Sequence, residues 1–263
     1  MKKLIALTAL ATAGISLAQT TSTTEVSFDK LSILEKTSVD YFVEAQDKIA
    51  GNTADGAQGD VEMYNSISLR YRVAENITAQ FNPRFTLSDA GDDRFDDHDL
   101  RVGLSGNLFS DAFATTIQYI VPTSVNTLNA DETDGQIRIT QGHAIDIDDM
   151  NNIAASVQFR KTFRKNVPAG SEWALLPYLS YTNKKISENI TARIDYEGYL
   201  PHQEGKDILH VENEADQFNR LLVGADLSNV PGLNSVYPYL THYPMRTKAL
   251  DQTGVGVQVF KSF

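Results

Sequence analysis

From Val61 onward the chain alternates apolar and polar side chains with a period of two, and this constrains the fold more than any other feature of the sequence. Between Val61 and Val73 the odd positions are Val61, Met63, Asn65, Ile67, Leu69, Tyr71 and Val73. The even positions are Glu62, Tyr64, Ser66, Ser68, Arg70 and Arg72. Successive side chains of a strand point to opposite faces, so this segment has one apolar and one polar face. After the short turn Ala74-Glu75-Asn76, residues 77–88 repeat the pattern: Ile77, Ala79, Phe81, Phe85 and Leu87 face one way, and Thr78, Gln80, Asn82, Arg84, Thr86 and Ser88 the other. No window of helical length carries a clean 3.6-residue period, so an all-β fold is expected.

The alternation predicts twelve strands, near 38–47, 60–73, 77–88, 98–109, 113–123, 136–147, 151–164, 173–186, 189–200, 217–228, 235–246 and 253–263. The sixth carries Gln141 and His143 on its nominally apolar face, and the eleventh contains Pro238 and Pro244, which remove ladder donors. Short turns follow the even-numbered strands: 74–76, 110–112, 148–150, 187–188 and 229–234. Mostly longer, polar loops, such as 48–59 and 201–216, follow the odd-numbered ones. An even strand count with short turns at one end and long loops at the other is the plan of a transmembrane antiparallel up-and-down β-barrel. Long loops then face outside and both termini lie on the periplasmic side.

The first eighteen residues read as a secretory signal. Lys2 and Lys3 precede an apolar run from Leu4 to Leu17, and Ser16-Leu17-Ala18 is a small-x-small cleavage site. The run is shorter than the roughly 20 residues of a spanning helix, and no other stretch approaches that length. The expected organisation is a signal at 1–18, a periplasmic N-terminal tail at 19–37 with a Thr/Ser-rich start, and a barrel at 38–263. The chain has no Cys, which excludes disulfides, thiolate metal sites and thiol nucleophiles. A net charge of −11 argues against nucleic acid as a partner.

The last strand sharpens the reading. Thr253-Gly-Val-Gly-Val-Gln-Val-Phe-Lys-Ser-Phe263 places Val255, Val257, Val259 and Phe263 on one face and stops on the aromatic. This resembles the C-terminal signature of bacterial outer-membrane β-barrels, by which the assembly machinery recognises them, and it gives Phe263 the role of assembly signal. Lys261 departs from the pattern, in which that outward position is more often apolar. The resemblance implies the cell outer membrane as location, its lipid and lipopolysaccharide and the barrel assembly machinery as partners, and a monomer. The competing fold is a secreted β-sandwich, whose strands also alternate. A sandwich buries its apolar faces together. Here Arg, Gln, Asn and Thr occupy the polar faces at strand centres, which suits a wet lumen. Tyr71, Phe109, Phe113, Trp173 and Tyr181 near strand ends suit the interfacial girdles.

Nine of the eleven Arg face the lumen on this register: Arg70, Arg72, Arg84, Arg101, Arg138, Arg160, Arg164, Arg193 and Arg220. Arginine binds carboxylate and phosphate through a fork of donors and cannot be titrated away. Arg70 and Arg72 belong near the periplasmic end and Arg84, Arg101 and Arg160 higher, which forms a track along the pore. The lumen parity also carries Lys184 and the acids Asp40, Glu44, Glu62, Asp99, Asp146, Asp195, Glu197 and Asp226, so a charge-paired, nearly closed lumen is an equal alternative. Twelve strands enclose a lumen between the filled eight-strand barrels and the open sixteen-strand porins. Small barrels with arginine tracks resemble the oligogalacturonate- and sialic-acid-specific channels of Gram-negative bacteria. The resemblance implies a porin-like channel for passive diffusion of small solutes, mildly anion-selective. A structural barrel without transport is the second reading.

The six outer loops hold sixteen acids against five basic residues, densest at Asp89, Asp92, Asp93, Asp96 and Asp97. The run lacks the glycine-turn spacing of a calcium loop, so solvated loops are expected and no metal or cofactor is assigned. Catalysis is a third reading. His143 shares its face with no serine, and in Asp96-Asp97-His98-Asp99 adjacent residues point to opposite faces, so no catalytic residue is assigned. Glu75-Asn-Ile-Thr-Ala79 recurs as Glu188-Asn-Ile-Thr-Ala192, six strands apart, which fits shared turn chemistry or a duplicated half-barrel.

Overall fold

The computed structural model of the chain describes residues 28, 31–48, 62–88, 95–124, 133–164, 171–203, 218–244 and 253–263. A short helix, α1 (Ile33–Lys36), leads into β1 (Thr37–Lys48). There follow β2 (Glu62–Ala74), β3 (Ile77–Ser88), β4 (Phe95–Gly106), β5 (Ala114–Val121), β6 (Thr133–Asp146), β7 (Asn151–Arg164), β8 (Ser171–Ser187), β9 (Ile190–Gln203), β10 (Phe218–Leu227), β11 (Ser235–His242) and β12 (Thr253–Ser262). Each strand pairs antiparallel with the next, and β1 pairs with β12 from Asp40↔Ser262 to Lys48↔Gly254, which closes the sheet into a barrel. The chain folds as a twelve-strand up-and-down barrel, as the alternation predicts.

Closure gives every central strand two ladder partners and leaves no sheet edge, the condition for a β structure to cross hydrocarbon. The outer surface meets the second condition. Leu69, Phe81, Leu104, Val157, Phe159, Leu179, Ile194, Val223, Leu240 and Val255 are all exposed, and they come from nine different strands. In water such a belt would far exceed the patches of a few hundred Å² that soluble monomers expose. In a bilayer it is the lipid-facing band. Asn65 lies on this face and is nevertheless buried, because Tyr41 covers it and donates its hydroxyl to the Asn65 Oδ1 at 2.7 Å. The Asn65 amide donates in turn to the Met63 carbonyl, so no amide donor or acceptor is presented bare to lipid.

The short connections sit at the end that holds α1. The two Glu-Asn repeats form two-residue turns at 75–76 and 188–189. At 147–150 the Asp148 carboxylate accepts from the backbone N–H of Met150 and Asn151, both at 2.7 Å. The connection at 228–234 bends through positive φ at Asn229 and Gly232. α1 is closed by a capping box: the Glu35 N–H donates to the Ser32 hydroxyl, and Glu35 accepts from the Ser32 N–H and hydroxyl. Those bonds hold the Glu35 carboxyl below its ordinary pKa.

Three sequence expectations shift. The fourth strand spans 95–106 rather than 98–109. Gly106 has φ of +149°, and a Cβ there would collide with the Asn76 carbonyl, so the ladder stops at this glycine. The connection to β5 is therefore the longer segment 107–113. The eleventh strand ends at His242, which leaves Pro244 outside the ladder; Pro238 sits on the outward face opposite Val257. In β4 a bulge intervenes. The pairs Asn82↔Arg101 and Arg84↔His98 are separated by two residues on β3 and three on β4. Strict parity places His98 outward with Leu100, whereas the bulge pairs it with lumen-facing Arg84. The signal at 1–18, the start of the tail and the acidic runs 89–94 and 204–217 lie outside the described residues, as do most of the other outer loops.

Candidate functional site

Two cavities stack along the lumen and meet at Arg84. The inner, of about 310 Å³, is floored by Asp40, Phe42, Arg70 and Phe260 and reaches up to Arg84, Arg101 and Arg220. The outer, of about 210 Å³, lies among Asp99, Gln136, Arg138, Arg160, Arg164 and Tyr199. Their linings come from strand parity alone: inward positions carry Ser, Thr, Gln, Asn and charged residues because the outward ones must be apolar.

The two sides of the lumen are built differently. From β8 round to β1 the wall is thick and charge-paired. Arg193, almost fully buried, donates from Nε to both oxygens of Asp195, at 2.8 and 3.0 Å, and from Nη2 to the Tyr178 hydroxyl at 3.2 Å. Tyr178 donates to Asp195 at 2.9 Å. The Arg193 guanidinium lies 4.4 Å from the centre of the Tyr237 ring, and its Nη1 is 4.0 Å from Asp226, which accepts from Ser235. Beside this network, Arg220 bridges Glu197 at 2.7 Å and Glu44 at 3.2 Å. Glu44 also accepts from the Tyr239 hydroxyl at 2.5 Å and from Gln258 at 3.2 Å. Lower down, Arg70 pairs with Asp40 at 2.9 Å. Leu222, Tyr237 and Tyr239 pack into a buried apolar cluster between these groups. Glycine makes room for it: a Cβ on Gly256 or Gly224 would enter the rings of Tyr239 and Tyr237 respectively.

Across the lumen, β3, β4, β6 and β7 present Arg84, Arg101, Arg138 and Arg160. Among the described residues none of the four has an ion pair with an acid. The hydrogen-bond partners of Arg84, Arg138 and Arg160 are neutral. Arg84 donates to the Tyr64 hydroxyl at 3.3 Å and to the Asp99 backbone carbonyl at 2.9 Å. Arg138 donates to the Gln136 side-chain oxygen at 2.5 Å, and Arg160 to that of Gln158 at 3.3 Å with its guanidinium 5.8 Å from the Tyr199 ring centre. Nε of Arg84, Arg101 and Arg160 is buried without a hydrogen-bond partner. The four lie within Coulombic range of one another. The Asp99 carboxylate on this side accepts from the backbone N–H of Thr123 and Ser124, at 2.9 and 3.1 Å.

Seven of the nine arginines singled out from the sequence therefore line the two cavities: Arg70, Arg84, Arg101, Arg138, Arg160, Arg164 and Arg220. Arg193 is sealed inside the paired wall, and Arg72 is exposed near the end that holds α1. The two sequence alternatives, track and paired network, coexist on opposite sides. The tyrosines that fill the paired wall were missed. Tyr178, Tyr237 and Tyr239 occupy lumen parity in β8 and β11, and that parity was the available signal, obscured in β11 by Pro238. His98, weighed in the sequence with Asp96, Asp97 and Asp99, turns to the lumen face through the bulge, and Pro83 opposite it was the signal, since proline within a strand marks an irregular ladder.

The four described histidines make these contacts. His98 Nε2 lies 2.6 Å from the Thr86 hydroxyl, with Tyr64 packed on its ring. His143 contacts the Ala112 carbonyl and the Phe113 ring. His202 stacks on Trp173 at 4.7 Å on the outer surface, and His242 meets Thr253. Phe263 is exposed, and its N–H donates to the Val39 carbonyl at 2.9 Å, extending the β1–β12 seam.

No family model matches the sequence, and no curated protein matches it. Among solved structures, the fold is similar to an outer membrane channel from Pseudomonas putida F1, with TM-score 0.55 and 10% identity over 92% of this chain and 100% of that one. The KdgM porin aligns at TM-score 0.44 and 13% identity over 86% and 99% of the two chains. The translocator domain of the autotransporter NalP from Neisseria meningitidis aligns at 0.48 and 12% over 87% and 88%. At these identities the likeness is one of fold, that of outer-membrane β-barrels.

Proposed function

We propose that this chain is an outer-membrane channel for passive diffusion of small solutes and that it prefers anions. It carries an N-terminal secretory signal, reaches the outer membrane with the aid of its last strand and Phe263, and works as a monomer. The observation that carries the selectivity is the wall formed by Arg84, Arg101, Arg138 and Arg160: among the described residues none has an ion pair with an acid, and the hydrogen-bond partners of Arg84, Arg138 and Arg160 are neutral. A paired arginine contributes little field at a distance. An unpaired one beside a low-dielectric wall lowers the energy of a passing anion, and salt screens it less than an exposed charge. The polar lining of the outer cavity suits hydrated solutes, and the channel fold of the Pseudomonas putida protein accords with this reading.

The test is conductance in planar bilayers. The purified protein should give stable single-channel steps, with a reversal potential toward that of the anion in a potassium chloride gradient. Replacing Arg84, Arg101 and Arg160 together with Gln should lower the anion/cation permeability ratio. Absence of conductance over a range of ionic strengths would favour a structural barrel. Cation preference at high salt in the unmutated protein would remove the arginine-wall reading.

A further inference from the structure

Among the described residues, Arg84, Arg101, Arg138 and Arg160 have no ion pair with an acid; the Asp99 carboxylate, which lines the outer cavity with three of them, accepts from the Thr123 and Ser124 N–H. Four guanidinium groups, each within Coulombic range of the others, follow one side of the lumen: Arg138 and Arg160 line the outer cavity, Arg101 the inner, and Arg84 both. Like charges held together beside a low-dielectric wall repel, and the opposite wall shows how this chain offsets that cost elsewhere, with a carboxylate within 3.2 Å of each paired arginine. On the quartet's side glutamine oxygens, a tyrosine hydroxyl and a backbone carbonyl take the places that acids occupy across the lumen. Neutral acceptors fix a guanidinium's orientation and leave its charge intact.

Donor capacity is left over as well. Nε of Arg84, Arg101 and Arg160 has no acceptor within the described protein, a state that Arg70 Nε and Arg193 Nη1 share on the paired side, so these donors are open to a solute or to lumen water. Arginine forks suit oxyanions, and hydrogen bonds between ionised partners are about twice as strong as neutral ones. Chloride offers a single point of contact and can satisfy few of these donors. A tetrahedral oxyanion offers several oxygens in different directions, which matches guanidinium groups arriving from four strands. The outer cavity, about 210 Å³, has room for one such ion with a few waters at ~30 Å³ each.

We propose that the Arg84–Arg101–Arg138–Arg160 cluster is a binding station for a compact divalent oxyanion, namely inorganic phosphate or the phosphate group of a small phosphomonoester. This deepens the channel reading and rests on it for the passage of the anion. The ion enters the station, replaces its hydration shell with guanidinium donors, and leaves through the inner cavity, past Gln118, Gln80, Asn82 and Ser66 on one side and the ion-paired Glu44, Glu197 and Arg220 on the other.

The experiment uses the full folded chain in detergent micelles at pH 8, titrated calorimetrically with inorganic phosphate, glycerol 3-phosphate and acetate. The same anions are then added to the chloride-conducting channel in bilayers. Phosphate should bind at least tenfold more tightly than acetate and reduce chloride current in a saturable way. Arg101→Gln with Arg138→Gln should weaken phosphate binding by about tenfold or more, the loss expected for charge-assisted bonds. Arg101→Lys with Arg138→Lys, which keeps the charge without the fork, should fall between. Arg72→Gln should leave binding unchanged. Heat-modifiable gel mobility confirms that each variant is folded. Glycerol 3-phosphate binding as tightly as phosphate would identify the ester as cargo; binding tenfold weaker would identify the free ion. Phosphate binding no tighter than acetate, or unaffected by the double Gln variant, would overturn the proposal even if the channel conducts. Phosphate binding through the quartet without chloride current would overturn the channel reading and leave the station standing.

Discussion

Removing the carboxylate of Asp195 should cost the barrel about 4 kcal/mol, because it strips the closest counter-charge from a buried guanidinium. In the native wall Asp195 accepts from Arg193 Nε with both oxygens and from the Tyr178 hydroxyl. Asp226 is the next acid, with its oxygen at 4.0 Å from Nη1 and another bond already taken from Ser235. Asp195→Ala thus leaves Arg193 charged, 2% exposed and without an adequate partner. Breaking a buried pair in this way costs roughly 3–5 kcal/mol, and the orphaned Tyr178 hydroxyl adds to it. Asp195→Asn keeps an acceptor and should lose about half as much. Urea unfolding of the micelle-bound protein reads the change through the single tryptophan, Trp173, whose ring lies on the outer surface against His202. With a slope of about 2 kcal/mol per M, the midpoint should fall by about 2 M for the alanine variant. The comparison that gives the test its force is Arg101→Gln. The same residue type on the opposite wall has no acid partner, so its loss should leave the midpoint unchanged or raise it. Arg193→Met with Asp195→Leu should recover most of the loss, since a buried pair can be replaced by apolar groups at little cost. A loss below about 1 kcal/mol in Asp195→Ala, or an equal loss in Arg101→Gln, would refute the division of the lumen into a paired and an unpaired wall.

Gly256→Ala should destabilise by about 1–3 kcal/mol in the same assay by displacing Tyr239 from Glu44, and Tyr239→Phe should not add its full cost on top. Deleting Phe263, which removes both the exposed aromatic and its bond to Val39, should lower the yield of heat-modifiable barrel more than loop substitutions do. Asn at Asp92, Asp93, Asp96 and Asp97 together should raise the anion/cation permeability ratio at low salt and change it little at 1 M, where the screening length is about 3 Å.

How much was readable before the structure follows from which physical rule governed each feature. The barrel was readable because lipid outside and water inside force a strict alternation, and that alternation runs through nearly every strand from β2 to β12. Its exceptions are as informative as its rule. Asn65 breaks the apolar face and is sheltered by Tyr41, a contact between neighbouring strands that no single-strand pattern contains. Boundaries slipped where one backbone conformation ended a ladder, as at Gly106, and parity failed where the bulge beside Pro83 inserted a residue. Which arginines face inward was a matter of parity and was legible. Which of them are paired was not, because pairing depends on register across strands far apart in sequence: Arg220 reaches Glu44, 176 residues away. Counting lumen charges gave a small positive excess. The spatial segregation of that charge, acids and tyrosines on one wall and unpaired arginines on the other, required the closed sheet.

Segregation makes a further distinction measurable. If the permeating ion responds to the net charge of the lumen, a charge removed from either wall should count equally. Glu197→Gln removes one negative charge from the paired wall and leaves Arg220 with Glu44 at 3.2 Å. Arg101→Gln removes one positive charge from the other side. Both residues line the inner cavity, so an ion there passes both. For an ion about 10 Å away at an effective dielectric constant of about 20, one unit charge is worth roughly 1.7 kcal/mol before screening. Screening reduces this, and a severalfold change in permeability ratio at 0.1 M salt is the expected size. Glu197→Gln should therefore raise the anion/cation ratio, Arg101→Gln should lower it, and the double variant should return near the parental value. The reversal potential in a tenfold salt gradient measures all three. Should Glu197→Gln leave the ratio unchanged while Arg101→Gln lowers it, the paired wall is electrostatically silent to the ion and the unpaired arginines alone set selectivity.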